Sequence, residues 1–340
     1  MVVVVQGSRQ YQHVAAAVFR QPWAILPEKL AAIGELVAMR IDGLRADPAH
    51  VAAIVAAARE AEVAHVAAAG PQRSKGMTAV LPLTGTLLWR SGPMEQMSGA
   101  VSLQQWGQAF DAAMNDDRIK SIVIDVDSPG GTVDGVPETA AKVFAARGRK
   151  PVTAVVNTLA ASAAYWIATA ASELVITPSG MAGSVGVYVL HEDDSAAVEN
   201  AGVRFTFIEA PQGGHKTEGN PFAPLSEESA AHYQGMVNEL YGQFVADVAK
   251  HRGVAEAAVR SDYGQGRVLL AKDALRARMV DRVATLEQVV QRHGGGDQAV
   301  GASPAAEGTS PEFTLEDQRF ALDLALAAAE AERLTREVSG

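Results

Sequence analysis

Four short segments carry the groups that could do chemistry together. The first is Asp127-Ser128-Pro129-Gly130-Gly131-Thr132, which follows the apolar run Ile122-Val123-Ile124. Pro129 holds Ser128 extended. Gly130 and Gly131 let the chain turn with positive φ and let another group come close. Free N–H groups at a strand-to-helix turn can hold a developing negative charge, which is the work of an oxyanion hole; an ordinary βα turn uses the same residues. In the second segment Ser162 falls in the first turn of a helix full of small residues. Its hydroxyl there lies near free N–H groups and the positive helix end, with the N–H of Ala163 as the adjacent donor. That placement suits a nucleophile, and it equally suits an N-cap. The third segment sets Ser184 between Gly183 and Gly186 at the entry to an apolar run, as a tight turn would. The fourth is the loop Gly213-Gly214-His215-Lys216-Thr217-Glu218-Gly219, ahead of a long helix capped by Ser226. A lysine stripped of its proton by desolvation can act as a general base; a lysine on a mobile loop can equally be solvated surface.

The elements that must position these groups change character along the chain. Residues 10–70 are alanine-rich with helical spacing, with helices opening at Pro27-Glu28 (28–40) and after Asp47-Pro48 (52–69). The polar stretch 71–77 reads as a linker. Short β-branched runs then alternate with helical segments. Strands are expected over 78–83, 121–126, 152–156, 174–176, 185–190 and 204–208. Helices are expected over 103–114, 136–146, 161–171, 195–201 and 226–250. That alternation predicts an α/β domain of βαβ units over 78–290. Residues 291–313 read as a flexible linker. Residues 314–340 read as an amphipathic helix, either a solvated end or a segment that binds a partner or serves as scaffold.

Composition narrows the function classes. The 340 residues are 48% hydrophobic and 20% charged, enough for a large core. There is no cysteine, which removes disulfides, zinc–thiolate sites, iron–sulfur clusters and a thiol nucleophile. A formal charge of −10 without a basic run argues against a general nucleic-acid binder. No window reaches about 18 apolar residues, so no membrane span is expected. The valines after Met1 stop too soon for a secretory signal. A cytoplasmic location is therefore expected.

Taken in order, the motifs resemble the signal peptide peptidase A family of serine peptidases. The resemblance covers residues 78–288. It includes the strand Val80-Leu81-Pro82-Leu83-Thr84-Gly85, the Asp127–Gly131 turn, the helix around Ser162-Ala163-Ala164-Tyr165-Trp166 and the Gly183–Val187 turn. The loop from His215 to Phe222 and the closing Gly266-Arg267-Val268, Ala274-Leu275 and Met279-Val280-Asp281 also match. It implies a Clp/crotonase-like fold with Ser162 as nucleophile and Lys216 as general base. Ser184 would hold the lysine, and Gly131 and Ala163, with Gly130, would supply the oxyanion N–H groups. Two positions depart: Ala163-Ala164 stands where many cellular members have two glycines, and Arg278 where the terminal motif often has glycine. The Ala-Ala pair and the segment Pro22-Trp23-Ala24-Ile25 resemble the bacteriophage and prophage branch, whose members mature virus heads.

By that resemblance the substrate is a scaffold or capsid polypeptide, and the chain itself, in the host cytoplasm or the assembling procapsid. Homo-oligomers are implied, and no metal or organic cofactor is needed. The reaction would pass through an acyl-enzyme, with activity rising towards alkaline pH because the lysine must be neutral. Competing readings are a Ser–His–Asp peptidase built on His191 or His215 with Asp193 or Asp194, a cellular protein-degrading peptidase, a non-catalytic scaffold, and a crotonase-type acyl-CoA enzyme.

Overall fold

The computed structural model describes residues 22–27, 29, 77–91 and 99–293. The helix expected over 28–40 (apart from residue 29), the helix expected over 52–69, both linkers' interiors (71–76 and 294–313) and the helix expected over 314–340 lie outside them. The chain divides into units Met1–Ala299 and Val300–Gly340, and everything below concerns the first.

The expected α/β architecture is present. Strands β2 (Met77–Leu88), β3 (Ala100–Ser102), β4 (Ile119–Thr132), β5 (Val152–Ala161), β6 (Glu173–Ile176) and β9 (Arg282–Val283) form a sheet in the order β3-β2-β4-β5-β6-β9, with every pairing parallel. Helices α1 (Leu103–Asn115) and α2 (Val136–Ala145) make crossovers, as the sequence pattern required. The central strands are buried on both faces, which is why Ser121–Val126 reads as a nearly unbroken apolar run. Ile122, Ile124, Val126, Ala154 and Val156 face the main core under the helices. Val123, Val155 and Val175 face a smaller cluster closed by Val289 of α8 (Leu286–Arg292).

Two departures from the expected elements shape the site. β5 was expected to end at Val156 but runs to Ala161, because its second half, Leu159–Ala161, finds a new parallel partner in β7 (Met181–Gly183). That strand is paired in turn with antiparallel β8 (Val268–Leu270). The helix expected over 161–171 is accordingly shorter, α3 (Ala163–Thr169). The alternating run 204–208, expected as a strand, finds no sheet partner among the described residues; Phe205 and Phe207 instead lie against Phe222 and remain half exposed. The run 185–190 likewise forms only a bridge, at Tyr188.

All seven residues of α3 are buried. Trp166 stacks on Phe244 of the long helix α5 (Glu227–Arg252) at 4.3 Å and donates its indole N–H to Asp247 at 2.9 Å. The last carbonyls of α3 would be orphaned in this apolar setting. Arg147 reaches them: its guanidinium donates to the carbonyls of Thr169, Ala170 and Ala171 at 2.8, 2.9 and 2.6 Å, and to that of His251 at 3.1 Å. Arg278 sits at φ 59°, in the left-handed region where glycine is unstrained. Arginine is therefore held here in a backbone conformation that the glycine expected from the family resemblance would adopt without strain. The same motif is an anchor: Asp281 accepts the Leu174 N–H at 2.7 Å and pairs with Arg252, and Tyr165 of α3 donates to the Met279 carbonyl at 2.9 Å.

His251, 5% exposed at the end of α5, lies 3.0 Å from Thr169 Oγ1. That hydroxyl already donates to the Trp166 carbonyl, so the imidazole Nδ1–H is the donor. Burial, reinforced by Arg147 and Lys250, holds the imidazole down to about 4, against ~6.5 in an unfolded chain. The unfolded chain takes the proton first, so stability falls as pH drops from ~6.5 towards 4 and then levels off. Thermal unfolding across that window is expected to show a loss of at most ~3 kcal/mol that His251→Asn lacks. Equal slopes in both chains would remove His251 as the cause.

Candidate active site

Ser162 occupies the junction between β5 and α3. Parallel pairing sets Ala161 opposite Gly183, and the Ser162 N–H donates to the Gly183 carbonyl at 2.7 Å. Its own carbonyl receives the Trp166 N–H at 3.0 Å, opening the helix. These two ties fix Ser162 at φ 56°, ψ −121°, a conformation L-residues avoid and nucleophile turns between strand and helix exploit. The hydroxyl is not used as a cap; it lies 3.4 Å from the Gly186 carbonyl. Gly186 lines an open cavity of about 420 Å³ with Val185, Val187, Tyr241, Arg260 and Gly266.

Ser184 directly follows Gly183, so the β5–β7 register brings the two serines together. Ser184 also has positive φ, 54°, its N–H donates to the Arg267 carbonyl at 2.8 Å, and it is 6% exposed. The N–H of Ala163 belongs to the first turn of α3, where helical N–H groups have no partner within the helix.

The glycine turn is the end of β4 itself. Gly130 and Gly131 pair with Thr86 and Leu87 of β2 on one side and with β1 (Trp23–Ile25) on the other. No Cβ fits at either. At Gly130, with φ 102°, it would fall on the Ala24 carbonyl oxygen and 3.1 Å from that of Ala161; at Gly131 it would fall on the Leu87 carbonyl. The Gly130 N–H donates to Ser128 Oγ at 3.1 Å, and that hydroxyl donates to the Gly85 carbonyl at 2.6 Å. Gly130 thus serves the turn, and Gly131 is the glycine whose N–H is turned towards β1.

Lys216 makes no hydrogen bond to either serine in the single chain. It sits exposed on the loop after a short 3-10 turn, Pro211–Gly213; its N–H donates to the Gly213 carbonyl at 2.9 Å, and its ammonium makes no hydrogen bond or ion pair among the described residues. The histidine alternatives fare no better. His215 lies 3.8 Å from Glu228 on the surface. His191 Nε2 is buried without a hydrogen bond, and Asp193 accepts the Ser195 N–H at 3.0 Å. Neither bonds Ser162. No cluster that could hold a metal ion occurs among the described residues, and no helix there is long and apolar enough to cross a membrane.

Sequence reasoning placed Ser162, Ala163, Ser184 and the glycine pair together, and the structure does so too. It missed the reach of β1 into this site. Residues 22–25 carry no side chain with obvious chemistry, and their role is visible only through backbone pairing. The Gly186 carbonyl was missed for the same reason.

Residues 145–298 match Peptidase family S49. The chain is 31% identical over 212 residues to the head-tail preconnector protein GP5 of Enterobacteria phage P21, covering 62% of this chain and 42% of the relative. It is 30% identical over 205 residues to capsid assembly protease C of Escherichia phage lambda, covering 60% and 46%. To a putative protease of Methanocaldococcus jannaschii it is 32% identical over 183 residues, covering 54% and 58%. The chain therefore spans about half the length of these curated relatives. A solved mutant of the 1510-N membrane-bound stomatin-specific protease is 14% identical with a TM-score of 0.41, covering 65% of this chain and 86% of that one; the fold stands on the strand pairings above.

The left-handed turn gives a test that needs no substrate. At ordinary positions glycine is less stable than alanine by ~0.5–1 kcal/mol. At position 162 the order is expected to reverse, with Ser162→Gly unfolding at higher denaturant than Ser162→Ala by about 1 kcal/mol. The ordinary order would show that the turn carries no strain.

Proposed function

We propose that this chain, which carries a peptidase family S49 domain over residues 145–298, is a serine endopeptidase with Ser162 as nucleophile and Lys216 as general base. The observation that carries this reading is the Ser162 turn. A hydroxyl is held left-handed at the start of a wholly buried helix, one strand away from the Gly130-Gly131 turn. Ser162 Oγ attacks the scissile carbonyl while neutral Lys216 takes its proton. The N–H groups of Gly131 and Ala163 receive the oxyanion, and losing one such donor would raise the barrier by roughly 3 kcal/mol. Lys216 then protonates the leaving amine, and water releases the acyl group from Ser162. Ser184 orients the ammonium, while Gly130 gives the turn its shape. No metal or organic cofactor is invoked.

Lys216 is exposed in the single chain, whereas a neutral base wants desolvation. Near it in sequence lie Phe205, Phe207 and Ile208, 51%, 47% and 96% exposed. An exposed apolar strip of this kind is what a second copy of the chain would cover. We therefore read the working enzyme as a homo-oligomer in which association buries the strip and brings a lysine to each serine.

For substrate we propose scaffold or capsid polypeptide, and the chain itself, in the host cytoplasm or the assembling procapsid. The support is the similarity to a capsid assembly protease and a head-tail preconnector protein. A cellular protein-degrading role is the alternative, supported by the similarity to proteins named Protease 4.

Intact-mass analysis of the purified chain over time, with and without a candidate scaffold protein, tests the dyad. Wild type is expected to yield discrete fragments, and Ser162→Ala and Lys216→Ala to yield none while keeping the wild-type unfolding midpoint. Undiminished cleavage by a folded Lys216→Ala chain would refute the lysine as base.

A further inference from the structure

A peptidase nucleophile must meet an extended peptide, yet Ser162 is 1% exposed. The backbone at this site is already paired. β1 runs antiparallel to the glycine turn, with Ala24 opposite Gly131 and Ile25 opposite Gly130. The Leu26 N–H donates to the Pro129 carbonyl at 3.1 Å, and the Val133 N–H to the Pro22 carbonyl at 3.2 Å. Hydrogen-bonded pairs alternate along an antiparallel ladder, so these two flanking bonds put Ala24 and Gly131 in the bonded phase. The Gly131 N–H therefore meets the Ala24 carbonyl.

The other edge of β1 is engaged as well. Trp23 and Tyr188 exchange both backbone hydrogen bonds, at 2.9 and 3.1 Å. Tyr188 lies two residues beyond Gly186, whose carbonyl is next to the Ser162 hydroxyl. A Cβ on Gly130 would meet the carbonyls of both Ala24 and Ala161, the residue before the nucleophile. Trp23, Ala24 and Ile25 are each at most 2% exposed. A three-residue strand thus lies between the two edges that flank the nucleophile, with one carbonyl directed at the proposed oxyanion donor. Strand addition of this kind is how extended peptides are recognised, with main-chain bonds giving affinity and alternate side chains giving specificity.

We propose that Trp23–Ile25 is a built-in occupant of the peptide groove: it holds the place of an extended apolar–small–apolar substrate segment and must leave before substrate can bind. This rests on the peptidase reading above. The Gly131 N–H cannot serve Ala24 and an oxyanion at once, so the occupied groove is the resting form. Displacement is an exchange in kind, because an incoming strand remakes the same main-chain bonds. The segment also states what the groove accepts: an alanine-sized residue against the glycine turn, flanked by larger apolar ones.

The test measures turnover of a short apolar–alanine–apolar peptide by the full chain and by Ala24→Pro, which removes the N–H facing Gly131 and disrupts the ladder. Opening a groove that is free about a tenth of the time lowers the apparent KM about tenfold without changing kcat. A synthetic peptide of residues 20–27 is expected to inhibit Ala24→Pro competitively, and the wild type about tenfold more weakly. A second measurement uses the unaltered strand, so the idea does not depend on that variant folding. In the Ser162→Ala chain, saturating substrate peptide is expected to speed amide hydrogen exchange at Trp23 and Leu26, whose N–H groups leave with the strand, and not at Tyr188, whose bond the peptide remakes. Ser162-dependent turnover with unchanged KM in Ala24→Pro, no inhibition by the peptide and unchanged exchange would overturn the occupant and leave the peptidase standing. Absence of Ser162-dependent turnover in every chain would remove both.

Discussion

The backbone of Ser162 sits at φ 56°, ψ −121°, a conformation that costs a residue with a side chain about 1–3 kcal/mol and that no local preference would select. It persists because its surroundings leave no alternative. Its own N–H is tied to the Gly183 carbonyl by the β5–β7 register, and its own carbonyl is tied to the Trp166 N–H by a helix with no exposed residue. That helix is fixed at its far end by Arg147, along its side by Phe244 and Asp247, and beneath by the Met279 carbonyl. Much of the domain on this side of the sheet can be read as the frame of one strained residue. The extension of β5 past Val156 belongs to the same frame, since without β7 there would be no carbonyl to hold the turn.

The second organising feature is competition for one N–H. Gly131 lies in a strand bounded by β2 and β1, and a Cβ at either glycine would strike backbone. Close approach on both sides makes the turn a good place to stabilise charge, and it makes the turn sticky for any extended chain. A segment of the same polypeptide satisfies it at rest. The exposed lysine loop and the buried serine then belong to one picture: in the single chain the proposed nucleophile is paired over and the proposed base is exposed. Activation would need β1 to yield and Lys216 to be covered, and both changes are of the kind that assembly with partners can drive.

Much of this was legible in the sequence. Alternating β-branched runs and helices gave the α/β class, and helices α1, α2 and α5 lie within two residues of where their spacing put them. Glycine punctuation and small residues at a strand-to-helix turn singled out Ser162, Ser184, Ala163 and the glycine pair as candidates, and the family resemblance, not the local pattern, supplied their expected roles. What escaped was whatever depends on pairing between distant segments. The alternating run at 204–208 looked like a strand, yet a strand exists only where an edge accepts it. The reverse holds for Trp23–Ile25, too short to show a period, which becomes a strand because two edges meet there. Arg147 could not be found as a helix terminator from 22 residues upstream. Arg278 was flagged as a departure from glycine, and its left-handed φ gives the physical reason.

On the proposed reading, the strained turn makes Ser162 the reactive serine. The most direct measurement is treatment of the full chain with a serine-reactive phosphonate, followed by peptide mapping of the added mass. The expected result is a single label on Ser162, absent from Ser162→Ala and formed more slowly in Lys216→Ala. A label on Ser128 or Ser184 instead, or one that survives in Ser162→Ala, would contradict it.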